Sequence, residues 1–137
     1  MTPFKLTVLT PEKVFFDDEA TEVIVRSTEG DIGILAGHIA LVAALPPGAL
    51  KVRQGEGELR VAAVSGGIVK VGYNRVRIFV DAAEWADEID ENWARRSEED
   101  ARRRLEEKAN QHDIDLAEMK LKRALNRLSV KNNGKNG

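Results

Sequence analysis

Cysteine is missing from all 137 residues, which removes disulfides, thiol chemistry and thiolate metal sites. Proline stops at position 47 and glycine is missing between 73 and 133, so residues 73–133 hold neither of the residues that most readily break a helix. No apolar run approaches the roughly 18 to 20 consecutive residues a membrane-spanning helix requires. The opening Met1-Thr2-Pro3-Phe4-Lys5 lacks the charged-then-apolar order of a signal peptide, so a soluble, unexported chain is expected. Net charge is −2, with no excess of positive charge to hold nucleic acid. The length suits one domain with an appendage and excludes a multidomain enzyme.

What is present divides into two halves. In the first, apolar runs alternate with turn residues every eight to twelve positions: Phe4 to Val8, Val23 to Val25, Ile32 to Leu35, Leu41 to Leu45, Ala49 to Val52, Leu59 to Val64, Ile68 to Val71 and Val76 to Val80. Gly37-His38, Pro46-Pro47-Gly48, Gly66-Gly67 and Tyr73-Asn74 separate several of them. This pattern predicts an antiparallel β sandwich of about nine to ten strands over residues 1–85, because no segment between the strands is long enough for a crossover helix.

Residues 87–128 hold 22 of the 44 charged side chains and follow a helical period. Asp87 or Asp90 is expected to cap a first helix with a stripe of Ile89, Trp93, Ser97, Ala101, Leu105 and Ala109. Asp113 is expected to cap a second helix, with Ile114, Ala117, Leu121, Ala124, Leu125 and Leu128 as its stripe. The two stripes predict an antiparallel two-helix hairpin over 86–130, followed by a disordered tail at 131–137. A seam of mostly alanine-sized side chains buries little, so the hairpin is expected to be marginal alone and to need a partner surface.

The chain carries no phosphate loop, GxSxG elbow, HExxH helix or CxxC pair, and no catalytic or metal-binding residue is expected. His38 and His112 are too far apart in sequence to predict a metal pair. His38 reads first as a hydrogen-bonded turn residue. Trp85 and Trp93 flank the junction of the halves and are expected to pack there. Lys120, Lys122, Arg123, Arg127 and Lys131 form a local excess of positive charge, read either as a solvated helix face or as a docking face for an acidic surface or a nucleotide phosphate.

Several stretches, taken in order, resemble the ε subunit of F-type ATP synthases. They are Val8-Leu9-Thr10-Pro11-Glu12, Ser27-Thr28-Glu29-Gly30-Asp31-Ile32-Gly33-Ile34-Leu35-Ala36-Gly37-His38, Val64-Ser65-Gly66-Gly67-Ile68-Val69-Lys70-Val71, Ala82-Ala83-Glu84 and Leu121-Lys122-Arg123-Ala124-Leu125-Asn126-Arg127-Leu128. They cover nearly the whole chain, with Ala36 where the family usually has proline. The resemblance implies the same sandwich and hairpin, and a non-catalytic role in the rotating central stalk between the γ subunit and the c-ring during proton-driven ATP synthesis.

It further implies c-ring contact through Glu29, Gly30, Asp31 and His38, and a hairpin that extends to inhibit ATP hydrolysis. Its basic face, Lys120, Lys122, Arg123 and Arg127, would then meet acidic segments of the α/β subunits. The implied location is peripheral, on the cytoplasmic side of the cell membrane, without insertion; a plastid-encoded relative would also fit. No cofactor is required. A regulatory ATP site implied by the resemblance would use Glu84, Asp90, Arg123 and Arg127. Its pattern falls here on Ile89-Asp90-Glu91-Asn92-Trp93-Ala94, with tryptophan in place of arginine, so ATP binding is expected to be weak or absent. The competing class is a free-standing β-sandwich module that binds a ligand or peptide and dimerises through the hairpin.

Overall fold

Alternating apolar residues place one row of side chains on each strand against a common core. In the computed structural model, which describes residues 1–107 and 110–136, this alternation builds two five-stranded sheets. The strands are β1 (Phe4–Leu9), β2 (Val14–Ala20), β3 (Glu22–Ser27), β4 (Gly30–Ile34), β5 (Leu41–Leu45), β6 (Gly48–Arg53), β7 (Arg60–Val64), β8 (Gly67–Gly72), β9 (Arg75–Val80) and β10 (Ala83–Trp85). One sheet runs β2-β1-β9-β8-β5 and the other β10-β7-β6-β3-β4. Every pairing is antiparallel except β1 with β9, which is parallel. Leu6, Val8, Val69 and Ile78 from the first sheet meet Val23, Val25, Leu50 and Val52 from the second in the core.

Two of these strands were not foreseen as separate elements. Strand β2 carries Asp17, Asp18 and Glu19 and lies at a sheet edge, where an acidic outer face weakens the apolar alternation. Strand β10 has three residues, too few for a period.

A β-bulge opposite Leu9 shapes β2: Val8 faces Phe16 but Leu9 faces Val14. Phe15 is the extra residue, and consecutive phenylalanines thereby reach one partner. Phe15 stacks on Trp85 at 4.6 Å between ring centroids, and Phe16 meets it edge-on at 6.3 Å. The Arg60 guanidinium covers the same indole at 3.8 Å from its centroid. Because β2 and β10 are edge strands of different sheets, this cluster clasps one side of the sandwich. Trp85 is thus a packing residue, and its partners all belong to the strands.

The chain crosses between sheets at Ser65-Gly66 and again at Asp81-Ala82, and these crossings bond to each other. The Ser65 N–H donates to the Ala82 carbonyl at 3.0 Å and the Asp81 N–H to the Gly66 carbonyl at 3.1 Å. Gly66 adopts φ of 71°, which favours glycine. At Gly67 any β-carbon would collide with the Phe79 carbonyl on the neighbouring strand.

The chain divides into two units, Met1–Trp85 and Ala86–Gly137. The second opens with a 3-10 turn at Ala86–Glu88, followed by α1 (Glu91–Glu107) and α2 (Gln111–Asn136). Asp90 caps α1: its Oδ1 accepts from the Trp93 N–H at 3.0 Å, and its carbonyl from the Ala94 N–H at 3.0 Å. Asn110, rather than Asp113, caps α2. Its Oδ1 accepts from the Asp113 N–H at 2.9 Å while its amide donates to the Asp113 carboxylate at 2.9 Å.

The two helices pack on each other and are joined within three residues, so they run antiparallel. Their buried positions are Ala94 and Ala101 on α1, and Ala117, Ala124, Leu128 and Val130 on α2. Trp93 and Leu125, expected on the stripes, are 48% and 41% exposed. A stripe read at strict intervals of four drifts by about 40° per step on a 3.6-residue helix, which exchanges Ala94 for Trp93. Ala109 lies outside the described residues.

A disordered tail was expected from residue 131, but the backbone is helical through Asn136. No proline obliges a stop there, and Gly134 costs about 1 kcal/mol relative to alanine. The side chains from 133 onward and Gly137 lie outside the described residues.

Gly67→Ala is predicted to destabilise the sandwich by about 1–3 kcal/mol or more, since the obstruction is backbone and cannot swing aside. Gly33→Ala, where nothing lies within 4 Å, serves as the control and is expected to be neutral or mildly stabilising in urea unfolding.

Candidate docking surfaces

The residues implied for c-ring contact fall in two places. Glu29 occupies the tight β3–β4 turn, where its N–H donates to Ser27 Oγ at 3.2 Å and the Ser27 hydroxyl donates to the Gly30 carbonyl at 2.7 Å. Gly30 follows with φ of 122°. Asp31 accepts from Arg26 Nε at 2.5 Å, an exposed ion pair across the hairpin. His38 belongs to the next turn, past the far end of β4. Its N–H donates to the Leu35 carbonyl at 3.1 Å and its Nδ1 lies 2.7 Å from the Ile39 carbonyl, the hydrogen-bonded turn role expected of it. Glu29, Gly30 and Asp31 thus lie at the start of strand β4 and His38 beyond its end.

The basic residues of α2 also divide. At 100° per residue, Lys120, Arg123 and Arg127 fall within about 60° of one another, whereas Lys122 points to the other side of the helix. The basic face is a triad, not a quartet. The Arg127 guanidinium carbon lies 5.0 Å from the Trp93 ring centroid.

Of the residues implied for a nucleotide, Glu84 stands on β10 in the first unit, and Asp90, Arg123 and Arg127 stand in the second. Asp90 Oδ1 accepts in the α1 cap, and the motif position that would supply a guanidinium holds the Trp93 indole.

Sequence reading missed a surface that only strand register assembles. On the outward face of the β2-β1-β9-β8-β5 sheet, Ala44 pairs with Ile68, Ile68 with Phe79, Phe79 with Leu9, and Leu9 with Val14. This makes an unbroken apolar row across five strands, with Val14 59% and Ile68 37% exposed. The adjacent row reads Val42, Lys70, Arg77, Thr7 and Asp17, and the next brings Arg75, Lys5 and Glu19 together. Lys5 Nζ lies 2.7 Å from Asp17 Oδ1, and its hydrogen bond and charge hold the Asp17 carboxyl below its usual range. Exposed Leu35 and Ile39 lie between β4 and β5, and β5, with exposed Val42, is the edge strand of this sheet away from the aromatic clasp. A contiguous apolar row rimmed by charge is the usual form of a protein-docking surface. Among the described residues there is no cluster that could hold a metal ion, and no helix is long and apolar enough to cross a membrane.

Residues 3–86 match the ATP synthase delta/epsilon chain β-sandwich domain, and residues 87–132 match the ATP synthase delta/epsilon chain long α-helix domain. The chain belongs to the ATP synthase delta/epsilon family. Its relatives are epsilon chains. That of Ruminococcus albus is 47% identical over 133 residues, covering 96% of this chain and 98% of the relative. That of Caldicellulosiruptor saccharolyticus is 39% identical over 137 residues, covering 100% and 99%. A chain of the Euglena gracilis mitochondrial ATP synthase, solved as an assembly of OSCP, F1 and c-ring, superposes with a TM-score of 0.78 at 26% identity, covering 89% of this chain and 77% of that one. A chain of the Tetrahymena thermophila mitochondrial ATP synthase central stalk and c-ring shares the fold, with a TM-score of 0.60 at 18% identity and coverage of 93% and 95%. Family membership makes this an epsilon-type, non-catalytic chain of ATP synthase, and the sandwich-plus-helices fold read from its sequence is the family's fold.

Proposed function

We propose that this epsilon-type chain works in the rotor, with the sandwich as a coupling piece between the γ subunit and the c-ring and the hairpin as a brake on ATP hydrolysis. The observation that carries the coupling role is the apolar row Ala44, Ile68, Phe79, Leu9 and Val14, which a freely diffusing monomer would have little reason to expose. We assign this row to γ. An apolar centre supplies the attachment, and Lys70, Arg77, Arg75 and Lys5 beside it fix orientation through rim contacts. The turn with Glu29, Gly30 and Asp31 is assigned to the c-ring loops. Exposed carboxylates contribute only about 0–1 kcal/mol each there, so they select position more than they hold it. The chain would sit peripherally on the cytoplasmic side of the cell membrane, as part of the complex.

The brake is supported by the small side chains of the hairpin seam, which leave closure weakly favoured, and by the triad Lys120, Arg123 and Arg127, which suits acidic segments of the α/β subunits. Regulatory ATP is proposed to bind weakly or not at all, because Trp93 replaces the motif arginine and Asp90 is already engaged as a helix cap. A removed charge-assisted contact is worth about 1.5–3 kcal/mol, or roughly 10- to 150-fold in affinity.

Three measurements test these assignments. Ile68→Lys is expected to weaken binding of the chain to purified γ by at least about tenfold while leaving its circular dichroism unchanged; undiminished binding removes the row from the interface. Replacing Lys120, Arg123 and Arg127 together by alanine should raise ATPase activity of the assembled complex, most clearly at low salt, whereas Lys122→Ala should not. Equal activity of the triple variant and the parent would leave those residues as a solvated face. Calorimetric titration of the isolated chain with ATP is expected to give no saturation at micromolar nucleotide, and tight binding would overturn that part of the proposal.

A further inference from the structure

Trp93 is the large aromatic side chain that the hairpin leaves half exposed, and its one described ring contact is with the other helix. It lies in the first turn of α1, and Arg127 lies well along α2, so their contact sits at the end of the hairpin remote from the connection between the helices. At that end Ile89 is also buried and the 3-10 turn packs on α2. The seam beside it combines Ala94, Ala101, Ala117 and Ala124, each buried to 1% exposure or less but each removing little apolar area, with buried Leu128 and Val130. The ion pairs Glu91 with Arg95, Glu98 with Arg102, and Asp100 with Arg103 and Arg104 all lie within α1. They stabilise the helix whether or not the pair is closed.

We propose that the Trp93 indole and the Arg127 guanidinium form a latch that closes the open end of the hairpin and withholds Arg127 from any partner. Indole is the strongest of the aromatic faces for a cation, and guanidinium combines charge with a flat surface that lies over it. A partner that takes up Lys120, Arg123 and Arg127 as a unit must first detach Arg127 from the ring, so closure of the hairpin and availability of the triad oppose each other. The latch is a property of the isolated chain and stands whether or not the hairpin brakes an ATP synthase.

Amide exchange of the full chain, read at residues 94–98 and 124–130, tests it. Trp93→Leu keeps apolar bulk without the ring face, and Arg127→Met keeps length without the charge. Each single change should accelerate exchange about two- to fivefold at these amides, and the double variant should exchange no faster than the faster single one. Arg127→Lys should fall between parent and Arg127→Met. Unchanged exchange in the single variants, or full additivity in the double, would overturn the latch. Should Trp93→Leu fail to fold, the comparison of Arg127→Met with Arg127→Lys decides alone.

Discussion

A helix pair seamed with alanine can approach closely, but it gains little by doing so. Each alanine removes one methyl from water, about a third of what a leucine would remove. The buried positions Ala94, Ala101, Ala117 and Ala124 therefore let α1 and α2 approach closely, with Leu128 and Val130 adding larger side chains on α2. Within the helices the situation differs. Asp90 and Asn110 cap the two starts, and the ion pairs along α1 add a few tenths of a kcal/mol each. The caps and ion pairs act within each helix, whereas the small seam residues act between them.

The sandwich is built in the opposite way. Its core joins large side chains from both sheets, the β7–β8 and β9–β10 crossings bond to each other, and the Phe15, Phe16, Trp85 and Arg60 cluster clasps the side formed by edge strands β2 and β10. The clasp also fixes the residue at which the first unit ends. Trp85 is held by three side chains of the strands, and beyond it a 3-10 turn over Ala86–Glu88 leads to buried Ile89 and to Asp90, which caps α1. The opposite edge, β4 and β5, carries no such cluster among the described residues and instead exposes Leu35, Ile39 and Val42.

Much of this was legible in the sequence, and the limits have physical causes. Period-two runs located most of the strands because each has one buried face. Strand β2 escaped because the acidic outer face of an edge strand dilutes that signal, and the bulge at Phe15 interrupts it. Cap chemistry offered Asp87 or Asp90 for the first helix, where Asp90 is the cap, and Asp113 for the second, where Asn110 three residues earlier takes that role because both side chains are competent caps. The apolar row was invisible for a stronger reason. Leu9, Val14, Ala44, Ile68 and Phe79 are scattered over seventy positions, and only the register of four strand pairings, one of them parallel, lines them up. Likewise the basic quartet was a fact of composition. The helical angle turned it into a triad with Lys122 opposite.

Arg127 shows how one side chain can serve two arrangements without being optimal for either. As a member of the basic triad it offers charge to an acidic partner, an attraction that weakens with ionic strength at an exposed site. Over the Trp93 ring it makes a contact that depends on a quadrupole at short range and sheds apolar surface at the same time, so salt affects it less. Rising ionic strength should therefore shift Arg127 toward its own hairpin, and falling ionic strength toward a partner. The balance rests on tryptophan at position 93. An arginine there would repel Arg127 instead of receiving it, and the hairpin would then need a bridging anion to bring the two cations together.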